Sequence, residues 1–201
     1  MTATVLDATA PQTDEELLLA VRQGQTDLFS SLVLRWEQPL FRFVSRMMPR
    51  PEDARDICQE TFLRILDKAD RYREGSRFST WMYQIALNLC RDQARRSKRW
   101  GKLLAPGASF DETRFESPVT ESANGPAEEA IRSEQRLALV RAMQTLPAEQ
   151  REVLVLKEYE GLKFREIAAI VGCPESTVKS RMYYGLNGVR QALQQQGMDS
   201  L

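Results

Sequence analysis

One segment near the C-terminus, FREIAAIVGCPESTVKSRM, constrains the fold more than any other part of the chain. Its apolar residues first recur at the spacing of one helix face, then give way to Gly172, and then start the inner face of a second helix. Because glycine accepts the backbone angles of a tight turn, this pattern predicts a helix-turn-helix. An ordinary helical hairpin is the alternative. The inner-face positions are Ile167, Ala168, Val171, Val178 and Met182.

The second helix of this pair carries short polar and basic side chains in its first turns. Pro174 suits the first helical position, where its missing N–H is not needed. In a helix-turn-helix protein this part of the helix meets bases and phosphates in the major groove of duplex DNA. Past Met182 the basic pattern stops, and Gly185 and Gly188 each cost about 1 kcal/mol relative to alanine inside a helix, so duplex binding is expected to be weak or unusual. The candidate DNA-reading residues are Glu175, Ser176, Thr177, Lys179, Ser180 and Arg181.

Helical periodicity also dominates the first half of the chain. Thr13 and Glu16 have the spacing of a capping box that opens a helix, and Pro51 suits the first turn of a later one. No stretch alternates convincingly with a period of two, so we predict an all-α fold. Helices are expected over residues 14–23, over 28–48 with a kink or break at Pro39, from 51 onward, and over 78–97.

A stretch in the middle of the chain has the composition of a linker. It is rich in proline and glycine, carries scattered acids and lacks apolar periodicity. The sequence therefore predicts two small helical domains joined by a flexible linker. The expected boundaries are an N-terminal tail over 1–13, a first domain over 14–98, the linker over 99–126, a second domain over 127–195 and a C-terminal tail over 196–201.

Charge is balanced over the whole chain, with 28 basic and 28 acidic residues, but it is unevenly distributed. Residues 91–102 hold six cations and one acid, a net charge of +5. Residues 108–134 hold two cations and seven acids, a net charge of −5. Charge blocks of opposite sign indicate two different roles.

Several classes of protein are disfavoured by what the sequence lacks. Histidine, the commonest general base, is absent, and Cys58, Cys90 and Cys173 have neither zinc-site nor disulfide spacing. We therefore expect no enzymatic activity, no metal and no cofactor. No apolar run reaches the roughly 20 residues of a membrane span, and the first residues do not resemble a signal peptide. A cytoplasmic protein without membrane insertion is the expectation.

Acidic residues share one face of the helix that begins near Pro51. Asp53, Asp56, Glu60 and Asp67 recur at helical offsets opposite the apolar stripe. Such a face is either a solvated surface or a docking surface for a basic partner. Side chains nearby that could add directional contacts are Gln59, Phe62 and Arg64.

The helix over 78–97 carries a polar stripe that becomes basic toward its C-terminal end. Amide and hydroxyl groups can bind base edges, arginines can neutralise phosphates, and aromatic rings can stack on unpaired bases. Alternatively, Phe78 and Trp81 are core residues and the cations only complement the helix dipole. The stripe consists of Thr80, Gln84, Asn88, Arg91 and Arg95, and the aromatic residues beside it are Tyr72, Phe78, Trp81 and Tyr83.

Three segments, in this order, resemble those of bacterial RNA polymerase sigma factors of the extracytoplasmic-function type. DARDICQETFLRIL is similar to the core-polymerase-binding helix of region 2, and RFSTWMYQIALNLCRDQARR to its promoter-melting helix. The segment from LPAEQREV to TVKSRM resembles region 4. The resemblance spans nearly all of residues 14–195. It implies partnership with core RNA polymerase, promoter DNA and an anti-sigma factor.

The resemblance also assigns roles to matched positions. It implies that the clamp helices of the polymerase largest subunit meet Asp53, Asp56, Gln59, Glu60, Phe62 and Arg64. It implies that the opened minus-10 strand meets Thr80, Tyr83, Gln84, Asn88, Arg91, Asp92, Arg95 and Arg96. It implies that the minus-35 duplex is read by the candidate DNA-reading residues named above.

Two other functions fit parts of the sequence. A helix-turn-helix transcription regulator that acts without polymerase would need only the C-terminal segment, and the region 2 segment argues against it. A helical adaptor that binds only proteins would not need the arginines clustered over residues 91–99.

Overall fold

The computed structural model describes residues 13–48, 50–101 and 126–197, and within these ranges every regular element is a helix. The predicted all-α fold is confirmed. Most of the predicted linker lies outside the described residues. The α-helices are α1 (Asp14–Arg22), α2 (Phe29–Met47), α3 (Pro51–Asp67), α4 (Phe78–Gly101), α5 (Pro126–Thr145), α6 (Ala148–Leu154), α7 (Phe164–Val171) and α8 (Glu175–Gln195). Short 3₁₀ turns cover Thr26–Leu28 and Ala69–Arg71, and a π-helical turn covers Val155–Tyr159.

Helix α1 is connected to the start of α4 by a hydrogen bond that one of its side chains accepts. The predicted capping box is present, since the Thr13 hydroxyl accepts from the Glu16 N–H at 3.2 Å and the Glu16 carboxylate accepts from the Thr13 N–H at 2.8 Å. Glu15 lies in the same first turn, and its carboxylate accepts a hydrogen bond from the backbone N–H of Phe78 at 2.8 Å. A side chain of α1 therefore caps the start of α4, which lies far away in the sequence.

Helix α2 runs through Pro39 without a break. The expectation of a break is wrong because both flanks of the proline are anchored in the core, by the fully buried Leu32 before it and by three buried residues after it. Leu40, Phe43 and Val44 have no exposed surface, and burying such side chains contributes about 1.5–3 kcal/mol each, enough to offset the lost helical hydrogen bond.

The core of the N-terminal bundle is aromatic where α2 meets α4. The ring centroid of Phe43 lies 4.9 Å from that of Tyr83, and the rings of Trp36 and Phe78 lie 6.0 Å apart. Phe78 is fully buried, whereas Trp81 is partly exposed. The core interpretation is therefore correct for Phe78.

The C-terminal bundle contains the predicted helix-turn-helix. Gly172 ends α7 in the left-handed region with φ of 76°, and Val178 and Met182 are buried beneath it. Pro174 lies just before α8 as its N-cap, one position earlier than expected.

The two glycines inside α8 are places of close packing. A Cβ atom at Gly185 would stand 2.9 Å from Cδ1 of Leu154, and one at Gly188 would stand 2.6 Å from Cδ2 of Leu146. Both leucines are buried. The glycines let α8 approach α6 and the end of α5, which gives them a structural reason that the sequence alone did not show.

The two bundles pack against each other. One apolar cluster extends from Leu17 in α1 to Met182 in α8, and α4 lies against α7. The sequence predicted two domains on a tether and did not anticipate this contact.

Candidate nucleic-acid interfaces

The first turns of α8 present the predicted DNA-reading side chains to solvent. The Lys179 ammonium pairs with the Glu175 carboxylate at 2.8 Å. The Arg181 guanidinium lies more deeply, with Nη1 3.7 Å from Sγ of Cys173. Glu175, Ser176, Lys179 and Ser180 are exposed, and Thr177 and Arg181 are partly exposed. We call these six residues the α8 reading face.

The polar stripe on α4, which we call the α4 stripe, borders the C-terminal bundle, and its residues Gln84, Asn88 and Arg95 are exposed to solvent. Gln84 donates through Nε2 to the carbonyl of Ala169 in α7 at 3.4 Å. Thr80 is partly exposed, and Asn88 is exposed. The structure thus brings the predicted strand-binding residues together on one face, with part of that face covered.

Arg91 is held by an acid of the C-terminal bundle. Its Nε and Nη2 atoms donate to the two carboxylate oxygens of Glu152 at 2.9 and 2.6 Å. Glu152 is 2% exposed. The hydrogen bonds to the Glu152 carboxylate raise the pKa of the Arg91 guanidinium. A forked pair of this kind matches the geometry with which arginine binds phosphate.

Tyr83 lies in the core and not beside the α4 stripe. It is 2% exposed, and its hydroxyl donates to Glu160 at 2.5 Å. Burial raises the pKa of both groups. Arg46 lies 3.9 Å from the same carboxylate and stacks over the ring of Tyr159 at 4.2 Å. The expectation that Tyr83 borders an opened DNA strand is not met in this arrangement, because its hydroxyl faces the buried acid.

The basic end of α4 remains open. The Arg95 guanidinium pairs with Asp92 at 2.6 Å, and this hydrogen bond lowers the pKa of the Asp92 carboxyl. Arg95 and Arg96 are exposed. These cations are placed to attract phosphates beside the α4 stripe.

The outward side of α3 lacks two of the predicted docking residues. Asp53 is buried, accepting from Arg50 at 2.8 Å and from Gln93 at 2.9 Å. Phe62 lies in the core with its ring edge against Phe29. Each side chain turns inward because a partner lies on another helix: Gln93 of α4 for Asp53 and Phe29 of α2 for Phe62.

What remains exposed on α3 is a mixed acidic and apolar surface, which we call the α3 face. The Glu60 carboxylate pairs with Arg64 at 2.8 Å. Leu63 and Leu66 are 62% and 41% exposed, and the sequence analysis missed them. The signal was present, since both leucines fall outside the buried stripe of α3. The α3 face consists of Asp56, Gln59, Glu60, Leu63, Arg64 and Leu66.

Metal ligands, reactive thiols or a membrane-spanning helix in the part of the chain that the structure describes would indicate further functions. No group of three histidine, cysteine, aspartate or glutamate side chains could hold a metal ion there. Cys58 and Cys90 are buried, and burial raises the pKa of the Cys58 thiol to about 12. None of the helices in the described ranges is long and apolar enough to cross a membrane.

These features define a class of protein: an all-helical chain whose second bundle contains a helix-turn-helix of the kind that binds DNA. Comparison with protein families identifies it further. Residues 32–100 match the model of Sigma-70 region 2, and residues 136–187 match that of Sigma-70, region 4. These matches fall on the two bundles.

Curated relatives cover almost the whole chain. The RNA polymerase sigma-H factor of Pseudomonas aeruginosa is 30% identical over 184 residues, which cover 90% of this chain and 94% of that protein. The ECF RNA polymerase sigma-E factor of Escherichia coli K12 is 30% identical over 190 residues, covering 90% and 95%. The chain therefore belongs to the sigma-70 family, in its ECF group. It is a sigma factor that directs transcription initiation.

Solved structures share the fold. CnrH in complex with the cytosolic domain of CnrY aligns with a TM-score of 0.66 at 21% identity, covering 94% of this chain and 100% of that one. The sigma factor RpoE of Bartonella quintana, in complex with the anti-sigma factor NepR, aligns with a TM-score of 0.66 at 23% identity, covering 83% and 96%.

Proposed function

We propose that three surfaces of this sigma factor divide the work of initiation. The α3 face docks on core polymerase, the α4 stripe binds the opened minus-10 strand, and the α8 reading face reads the minus-35 duplex. The observation that carries the proposal is the exposed polar and basic first turn of α8 beyond the Gly172 turn. Transcription from a defined promoter by core polymerase, with and without the protein, tests the assignment as a whole.

Duplex recognition by α8 follows from its geometry. A helix that presents serine, threonine and lysine near its N-terminus can enter the major groove with those side chains at base edges and phosphates. Lys179 is the more exposed of the two cations on this face, and its side chain is 57% exposed. In the free chain Glu175 neutralises it, and a phosphate can replace that carboxylate.

Replacing Lys179 with alanine is expected to weaken binding of a minus-35 duplex. Loss of one phosphate contact should also make the slope of log affinity against log salt shallower by about one. Fluorescence anisotropy over a salt series measures both quantities. Arg190→Ala is the matched control, because this exposed arginine lies on α8 about 16 Å further along the helix axis. Equal losses in the two variants would contradict the assignment.

Docking by the α3 face depends on exposed acids beside exposed leucines. Apolar side chains supply contact area at an interface, and charges set orientation and partner choice. Asp53 has no part in this surface because its carboxylate is already bound inside the bundle. Asp56 is exposed and lies at the centre of the acidic side.

Changing Asp56 to lysine is expected to weaken assembly with core polymerase by about fivefold to tenfold, since a like charge would face a basic partner. Competition with labelled wild-type protein for core polymerase measures the loss. Glu134→Lys makes the same charge change on an exposed residue of α5 and should leave assembly unchanged. Wild-type affinity in the Asp56 variant would show that another surface docks.

Further assignments follow from the family. We place the protein in the cytoplasm, where polymerase and DNA lie, and assign it no catalytic step of its own. Because the RpoE protein of similar fold is bound to an anti-sigma factor, we also assign this chain an anti-sigma partner. Recovery of core polymerase and of such a partner with the tagged protein from cells tests these assignments.

A further inference from the structure

Two exposed tyrosines, which we call the tyrosine pair, follow the α8 reading face along the same helix. The pair consists of Tyr183 and Tyr184, which are 64% and 61% exposed, and Leu186 close by is 48% exposed. A group of large apolar side chains that is left in solvent and rimmed by polar residues marks an interaction site. This group lies just past Met182, where the basic pattern of the sequence stops.

The tyrosine pair lies on the same side of α8 as the reading face, because residues four positions apart share one face of a helix. Tyr183 comes four positions after Lys179, and Tyr184 comes four positions after Ser180. At a rise of 1.5 Å per residue, each ring therefore belongs to a position about 6 Å further along the axis. The major groove of duplex DNA is about 12 Å wide. A helix that reads base edges with its first turns thus brings the tyrosine pair into the same groove.

The two rings restrain each other. Their centroids lie 5.6 Å apart, and the ring planes meet at 73°, so Tyr183 and Tyr184 form an edge-to-face pair. A tyrosine side chain has few rotatable bonds and supplies a large contact area at a low cost in conformational entropy. A pair that is already packed loses still less freedom on binding than two separate long side chains would.

The charge of α8 favours DNA as the partner of this surface. Residues Glu175–Gln195 contain three cations, Lys179, Arg181 and Arg190, and one acid, Glu175, a net charge of +2. Such a helix attracts a polyanion. A neutral ring releases no counterions from DNA, so it cannot replace the phosphate contacts of a cation. What a ring can contact in the major groove is the C5-methyl group of thymine.

We propose that the tyrosine pair extends the α8 reading face by one turn and packs against thymine methyl groups of the minus-35 duplex. The inference rests on the proposed role of the α8 reading face. It also gives the loss of the basic pattern past Met182 a function, since this turn contributes apolar base contacts in place of phosphate contacts. Recognition by this turn therefore selects for sequence and adds nothing to the salt dependence of binding.

The test compares thymine with uracil in otherwise identical duplexes. A fluorescein-labelled duplex carries the minus-35 sequence of a promoter mapped from RNA 5′ ends, and each thymine is replaced in turn by deoxyuridine. Uracil pairs with adenine as thymine does and lacks only the methyl group. The wild-type full-length chain should bind one or more of the uracil duplexes about threefold to fivefold more weakly, the effect of one buried methyl group. Fluorescence anisotropy measures the affinities.

Variants of the pair assign the methyl contact to a ring. Tyr183→Ala and Tyr184→Ala should each weaken binding of the thymine duplex about fivefold to tenfold. Each should also bind thymine and uracil duplexes equally at the position that the lost ring contacts. Tyr184→Phe keeps the ring and should keep the preference for thymine. Gln191→Ala is the matched control, because this exposed residue lies about 10 Å beyond Tyr184 along the axis. Far-UV circular dichroism checks that each variant keeps its helices.

The outcomes separate failure of this inference from failure of the proposed function. Equal binding of all thymine and uracil duplexes by the wild-type chain would overturn the methyl contact. Unchanged duplex binding by both alanine variants, with weakened assembly with core polymerase, would make the tyrosine pair a protein contact and also overturn it. If Lys179→Ala still weakens duplex binding in either case, the α8 reading face stands without the tyrosine pair. Unchanged binding by Lys179→Ala as well would mean that the reading face itself is misassigned.

Discussion

Replacing Phe43 with alanine is expected to lower the free energy of unfolding by about 3–5 kcal/mol, the cost of deleting a fully buried phenylalanine. The side chain has no exposed surface, and its ring packs edge-on against Tyr83 at 4.9 Å between centroids. The cavity would lie between α2 and α4. Urea denaturation of the full-length chain, followed by circular dichroism, measures the change.

A matched control lies on the same helix. Leu34 of α2 is 78% exposed, so Leu34→Ala removes a large apolar side chain that packs against little. Its free energy of unfolding should stay within about 0.5 kcal/mol of the wild-type value. A loss for Phe43→Ala no larger than for Leu34→Ala would show that the α2–α4 contact is not the one described.

Replacing Gly185 with leucine is expected to destabilise the protein by about 1–3 kcal/mol through overpacking. The first added carbon already stands 2.9 Å from Cδ1 of the buried Leu154 and 3.4 Å from Cβ of Gln150. Gly185→Ala should change stability less, because the gain in helix propensity of up to about 1 kcal/mol opposes the short contact. Thermal and urea unfolding compare the two variants.

The control for this series changes the same helix where space is open. Gln191 of α8 is exposed, so Gln191→Leu should leave stability within about 0.5 kcal/mol. If Gly185→Leu were as stable as Gln191→Leu, α8 would not be packed closely on α6. Gly185 and Gly188 would then lower the helix propensity of α8 without allowing a close approach to its neighbours.

Local signals allowed much of the fold to be predicted from the sequence. The capping box of Thr13 and Glu16 and the turn at Gly172 depend on neighbours within a few residues, and both are present. The apolar positions of the helix-turn-helix follow the helical repeat, which the sequence displays directly.

Burial that depends on distant partners could not be predicted in the same way. Phe62 and Tyr83 fall beside polar positions in their helices, and only the packing of Phe29 on one and Glu160 on the other makes them core residues. A helix repeat gives the side on which a residue lies, but it does not give what covers that side.

The candidate site shows the same limit. The register of α4 correctly places Gln84 and Arg91 on one face. Glu152 joins Arg91 from 61 residues further along the chain. In the sequence it follows Gln150 and Arg151 directly before the apolar run VLVL, so its neighbours do not mark it as buried.

The cap that Glu15 provides for α4 bears on how the protein is handled at the bench. The carboxylate accepts the N–H of Phe78 across 63 positions of sequence, so the start of α4 is held by α1. A shortened clone that begins after Glu15 would leave this N–H without its acceptor. Purification tags and cleavage sites are therefore best joined ahead of Thr13, where they leave the cap intact.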